Sequence, residues 1–244
     1  MRRRKKTAFV VGFPVLLTAG LLFVPAARGQ VTGSATLVSD YRFRGVSLSD
    51  GEPAAQLDLN YDHPAGWYSG VFVSTTRLGV PPQTQIQWLP YAGFAAHLKS
   101  GASIDLGATY SGFTGGNELG YFEANAGITI DEFRVRLSYS PDYFQSGART
   151  LYVQIDASRA LGDRLRVFAH LGDLQLLTEP PGDSDATQHQ LDVRSGLAAH
   201  WLQLTASLSW VSANRVAAVY PVQNYEGNVN GAHSVWVVQL TWSF

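Results

Sequence analysis

From residue 30 onward the chain repeats one pattern: short segments in which apolar and polar side chains alternate, joined by connections that are tight and long by turns. Ala55, Leu57, Leu59 and Tyr61 alternate with Gln56, Asp58, Asn60 and Asp62, and Ile104, Leu106, Ala108 and Tyr110 with Asp105, Gly107, Thr109 and Ser111. Phe133, Val135, Leu137 and Tyr139 interleave with Arg134, Arg136, Ser138 and Ser140. Leu151, Val153, Ile155 and Ala157 interleave with Tyr152, Gln154, Asp156 and Ser158. A period of two is the signature of a strand with one apolar face. The pattern predicts roughly twelve strands, near 33–44, 53–62, 67–76, 84–98, 102–111, 119–130, 133–140, 149–160, 164–172, 189–199, 201–211 and 234–244. "HPAG", "KSGA", "DE", "LGD" and "AH" are tight connections, whereas "VSLSDGEP", "RLGVPPQT", "SGFTGGNELG", "SPDYFQSGA" and the segments 173–188 and 212–233 are longer. Tight turns at one end and long loops at the other distinguish a membrane-spanning barrel from a soluble sandwich, which has no reason to sort them. The expected fold is therefore all-β, an antiparallel transmembrane β-barrel with short periplasmic turns and long extracellular loops.

The last strand fits the same frame. "SVWVVQLTWSF" places Trp236, Val238, Leu240, Trp242 and Phe244 on one side and Gln239, Thr241 and Ser243 on the other. In lipid every backbone polar group needs an internal partner, so the last strand must pair with the first and leave no edge. Aromatic rings belong at the two membrane interfaces. Trp242 and Phe244 suit one girdle, and Tyr110, Tyr139 and Trp210 the other. An alternating terminal strand ending in Phe244 also resembles the signal read by the barrel-assembly machinery of bacterial outer membranes.

Composition agrees with a chain whose hydrophobicity is spread thinly. Charged residues make up 15%, against roughly 25% in soluble globular proteins, while aromatics reach 12%. With no cysteine, disulfides and thiolate metal sites are excluded. The first residues read separately: basic "MRRRKK", apolar "TAFVVGFPVLLTAGLLFVP", then "AARGQ", with Ala27 and Gly29 at the −3 and −1 positions before Gln30. This predicts a secretory signal peptide over residues 1–29, cleaved to leave a barrel over 30–244. An uncleaved anchor is the alternative, because the apolar run exceeds the usual length; Pro14 and the small-residue exit favour cleavage. Residues 1–29 hold six of the eighteen basic residues and none of the nineteen acidic ones, so the mature chain carries twelve against nineteen, net −7. That sign argues against a nucleic-acid partner.

In a spanning barrel the polar face of each strand points into the lumen. The expected pore-lining charges are Arg42, Asp58, Asp105, Glu123, Arg134, Arg136, Asp156, Arg166, His170, Asp192 and Arg194, with Asp40, Arg44 and His97 also inward. Arg134, Arg136 and Arg166 follow tight turns and so lie toward the periplasmic half, where they would bias a pore against cations. Asp105 and Asp156 sit at similar height, and a basic row facing an acidic one would orient a polar solute. The blander reading is that these charges pair and fill the lumen. Eight strands enclose a packed interior and sixteen an aqueous channel, so a barrel of about twelve admits both.

Three further constellations are weaker. His170 beside a serine of a neighbouring strand would suit an outer-membrane hydrolase, but no nucleophile-elbow spacing is present. His189 with Asp192, or Asp183 with Asp185, is a poor metal set, better read as solvated loop. "TGGNELG" lacks the lysine and helix of a phosphate loop.

Residues 37–75, "LVSDYRFRGVSLSDGEPAAQLDLNYDHPAGWYSGVFVST", resemble the opening of the TorF-family porins of Gram-negative bacteria. The resemblance rests on Ser39–Tyr41, Arg42 to Ser47, the strand to Tyr61, and Gly66 through Val73. It departs at Leu48, where Gln is common in the family. It implies an outer-membrane barrel and a pore, and brings no substrate or binding residues with it. The expectation is passive diffusion of small hydrophilic solutes or ions across an outer membrane, with lipid and the assembly machinery as partners and no cofactor, metal or catalysis. The alternatives are a plugged barrel acting through its loops as an adhesin or structural protein and, less favoured, a hydrolase.

Overall fold

The computed structural model describes residues 29–78, 83–115, 119–180, 189–214, 220 and 234–244. The alternating segments become strands: β1 (Gln30–Val38), a minimal pair β2 (Arg42–Phe43) and β3 (Val46–Ser47), then β4 (Ala54–Asp62), β5 (Trp67–Leu78), β6 (Gln83–His97) and β7 (Ser103–Phe113). They continue as β8 (Tyr121–Ile130), β9 (Phe133–Ser140), β10 (Thr150–Leu161), β11 (Leu165–Leu176), β12 (His189–Trp201), β13 (Leu204–Ala213) and β14 (Val235–Ser243). All but β2 and β3 form one closed antiparallel barrel of twelve strands in sequence order. The seam is β1 against β14, with Ser34 opposite Ser243 and Val38 opposite Gln239. Beyond the strand, the Phe244 and Gly33 backbones exchange two hydrogen bonds of 2.9 Å. The terminal aromatic is thus stitched into the wall and leaves no edge, as a lipid environment requires.

The apolar face looks outward. Leu57, Leu59, Leu106, Val135, Leu137, Ile155, Leu197, Leu208 and Leu240 are exposed on the outer wall, while Asp58, Asp105, Arg136 and Asp192 are buried within. Trp67 meets Phe94 at 5.1 Å and Trp242 meets Phe244 at 4.9 Å near the short-turn end. Trp88 meets Tyr110 at 5.4 Å near the other. This inside-out distribution suits a barrel whose solvent is hydrocarbon.

Three sequence expectations need correction. The first wall strand does not run to residue 44: it ends at Val38, and 39–53 turns into the barrel. The tight turn between β12 and β13 is not at "AH" but at Leu202–Gln203, with Leu202 fully exposed at φ 54°. Alternation continues through Ala199 and His200 because Trp201 still has an interface to reach; His200 Nδ1 and Thr205 Oγ1 meet across the pair at 2.9 Å. The β5–β6 connection is also shorter than expected, since β5 extends to Leu78 and β6 begins at Gln83. Residues 1–28, which carry nearly all of the expected signal peptide, lie outside the described residues.

Candidate functional site

The lumen divides into two halves of different chemistry. At the short-turn end charged side chains span neighbouring strands. Arg136 Nη2 donates to Asp105 Oδ2 at 3.0 Å, and Arg134 Nη2 lies 3.5 Å from Asp105 Oδ1. Asp105 is on β7 and the arginines on β9, so the contact crosses β8. It does so over Gly127, where any side chain would collide with the Asp105 carboxylate. Gly172 on β11 does the same for the Tyr152 phenol reaching from β10 toward Asp192 on β12. Glycine here is a slot in the inner wall through which a long side chain passes.

Next along the wall, His170 sits between two carboxylates: Nδ1 lies 2.7 Å from Asp156 Oδ1 and Nε2 lies 3.1 Å from Asp192 Oδ1. Tyr152 Oη stands 2.9 Å from both His170 Nε2 and Asp192 Oδ2. Both ring nitrogens are therefore engaged by side chains other than serine. Arg134, Asp156, His170 and Arg194 are in cross-strand register on β9, β10, β11 and β12, a row of one acid among three basic side chains around that arc. Arg166 donates to Ser158 Oγ at 3.3 Å. Arg194 donates to Ser209 Oγ at 3.2 Å and lies over Phe168 at 5.3 Å. On the opposite arc Asp58 is buried and receives a hydrogen bond from Asn60. His97 meets Ser103 Oγ at 2.7 Å near the short-turn end. His189 lies 3.5 Å from Asp173 but is well exposed. Asp183 and Asp185 lie outside the described residues. Among the described residues no cluster of His, Asp and Glu suits a metal ion.

The long-loop end is dry and aromatic. Segment 39–53 enters the lumen as a hairpin, with Phe43 opposite Val46. Asp40 organises it: it accepts from Arg42 Nε at 2.6 Å and from Ser47 Oγ at 2.5 Å, and Ser49 Oγ lies 3.3 Å away. Arg42 also donates to Gly45 O at 2.9 Å. Arg42 and Arg44 therefore do not sit on the barrel wall, as the period-two reading implied, but on this inserted finger. At its tip Arg44, at φ 51°, donates from Nη2 to Glu123 Oε1 at 2.7 Å, with both side chains no more than 4% exposed. The guanidinium lies 4.1 Å from the Tyr152 ring centroid, 4.8 Å from Phe43 and 5.3 Å from Tyr143. Burial alone weakens that charge, but Glu123, with the surrounding tyrosines, outweighs it and holds Arg44 above its ordinary pKa.

A one-turn segment at Tyr143–Gln145 closes the same space. Tyr143 packs on Tyr121 at 4.7 Å and on Phe144 at 4.8 Å, and hydrogen-bonds Tyr220 at 3.2 Å. Burial pushes the Tyr143 phenol up to about 12. Sequence reasoning put Tyr152 on the inward phase without giving it a role, and missed Tyr121, Tyr143 and Phe144 as interior residues. The available signal was a set of aromatics on the polar phase of their strands or in loops, where lipid contact does not explain them.

A family model described as "Bacterial protein of unknown function (Gcw_chp)" matches residues 24–244. The chain belongs to that Gcw_chp family. No curated protein matches it. Among solved structures it is similar to the KdgM porin, at 12% identity and a TM-score of 0.54 over 88% of this chain and 99% of the other. The NanC porin aligns at 11% identity and a TM-score of 0.55, over 87% and 99%. The COG4313 outer membrane channel from Pseudomonas putida F1 aligns at 10% and 0.52, over 91% and 96%. At such identity the likeness is one of fold: a porin-like transmembrane β-barrel.

Proposed function

We propose that this Gcw_chp-family member is an outer-membrane channel for passive diffusion of small hydrophilic solutes, narrowed at its extracellular end by the 39–53 hairpin. The observation that carries this reading is the charged interior wall. Asp58, Asp105, Arg134, Arg136, Asp156, Arg166, His170, Asp192 and Arg194 all lie on inward strand faces, while the outward faces are apolar. A barrel with only a structural role has no need of so many ionised groups inside, each of which is costly to bury. The fold likeness to KdgM and NanC supports the same reading, as does the TorF-family resemblance of residues 37–75. The short-turn end then faces the periplasm, and residues 1–29 act as a cleaved export signal. The strand ending in Phe244 engages the assembly machinery. A swelling assay tests transport: proteoliposomes holding the refolded chain should swell in an isosmotic small sugar and stay intact in a large one. Swelling no faster than empty liposomes would sink the proposal.

One observation favours a second reading, a sealed barrel that works through its loops. Leu48, Val46 and Tyr143 in the outer lumen are at most 1% exposed, so that half is packed like a protein core. On this reading the folded barrel does not conduct, and trimming the loops abolishes function without loss of the fold.

A further inference from the structure

The finger that fills the outer lumen has two parts. Its base is held to the wall by Tyr41 Oη donating to Gln87 at 2.9 Å and by the Arg77 amide donating to Leu48 O at 2.8 Å. Its tip, Phe43 to Gly45, is where the chain reverses, with positive φ at both Arg44 and Gly45. The receptor for the Arg44 side chain is built mainly by residues that do not belong to the finger. Glu123 comes from β8 and Tyr152 from β10, and Tyr143 from the 141–149 connection. A buried carboxylate facing a planar cation, with aromatic rings within 6 Å, is a complete guanidinium-recognition site. The fit of the resident is incomplete, because Arg44 Nη1 is buried with no hydrogen-bond partner.

From this geometry we propose that the outer lumen holds a guanidinium-binding site whose resident occupant is the chain's own Arg44, a tethered ligand. A soluble guanidinium compound entering from the long-loop end competes with the finger's tip for Glu123 and the Tyr143 and Tyr152 rings. Tethering raises the local concentration of Arg44, so the site is masked in the intact protein and exposed once the side chain is removed.

The positive φ at Arg44 supplies a clean variant: Arg44→Gly takes away the guanidinium and suits the backbone. Folding of each variant is checked by heat-modifiable gel migration, and Arg44→Gln serves if the glycine variant does not fold. Binding of methylguanidinium to the refolded barrels is read by saturation-transfer NMR. The expected result is clear binding to R44G, about tenfold weaker binding to R44G/E123Q, and little to the intact protein. Absence of binding to R44G, or equal binding with and without the Glu123 carboxylate, overturns the proposal. The channel reading underlies only the conductance arm, in which methylguanidinium should lower the current through R44G. A silent R44G barrel that still binds methylguanidinium would uphold the site and count against the channel.

Discussion

The two halves of the lumen handle charge in opposite ways. Near the short turns Asp105 serves two arginines and, midway along the wall, His170 serves two aspartates; Arg134 is 21% exposed and Asp156 20%, while Arg136 and Asp105 are buried. Near the long loops, apart from the finger's own Asp40–Arg42 pair, the Arg44–Glu123 pair lies in an aromatic enclosure with almost no exposure. The first arrangement tolerates loss of a member, because neighbours and solvent share the field. The second does not, because a buried charge left without its partner is expensive. The lesson is that one barrel holds a polar wall in which each charge has several partners and, at the tip of the finger, a latch in which one ion pair is enclosed by aromatic rings. Removing a charge from each is therefore the way to tell them apart.

The largest effect is expected at the latch. Glu123→Ala should weaken docking of the hairpin by about 3–5 kcal/mol, seen as faster amide exchange over 39–53 with the strands still protected. Exchange unchanged in that segment would erase the distinction between the halves. Next comes the polar wall: replacing Arg134, Arg136 and Arg166 together with Ala should leave the fold intact and shift the reversal potential toward cations. An unmoved potential would remove these arginines from any role in selectivity. Asp105→Asn should move the potential the other way by a smaller amount, since Arg134 and Arg136 lose their shared acid. The smallest effect is alkaline. Tyr143 is held neutral by burial, with its pKa raised from 10.0 to about 12. Its contribution to docking is complete below pH 10, falls as the undocked form ionises above that, and is lost through pH 12. A tyrosinate absorbance titration of the barrel should show a late-titrating phenol that Glu123→Ala makes titrate earlier.

The strands were legible because lipid imposes one rule on every outward residue, and Leu57 or Leu137 obeys it wherever it falls. Strand ends at the loops were less so. Residues 39–44 alternate as well as any strand, but there the alternation serves a hairpin gathered around Asp40, with Tyr41 and Phe43 buried in the barrel instead of facing lipid. Pairings such as Arg44–Glu123 and Arg136–Asp105 depend on barrel closure and register, which period-two patterning does not encode. Among the interior charges, sequence placed Asp105, Arg134, Arg136, Asp156, His170, Asp192 and Arg194 on the inward phase. It had no way to show that Gly127 and Gly172 let their neighbours reach across a strand.

The most direct test is single-channel recording of the refolded chain in a planar bilayer under a salt gradient, beside R44G. Small discrete steps are expected from the intact barrel and larger ones from R44G, which lacks the Arg44 side chain. Silence from both, with each shown to be folded, would contradict the channel reading and leave a sealed barrel that acts through its loops.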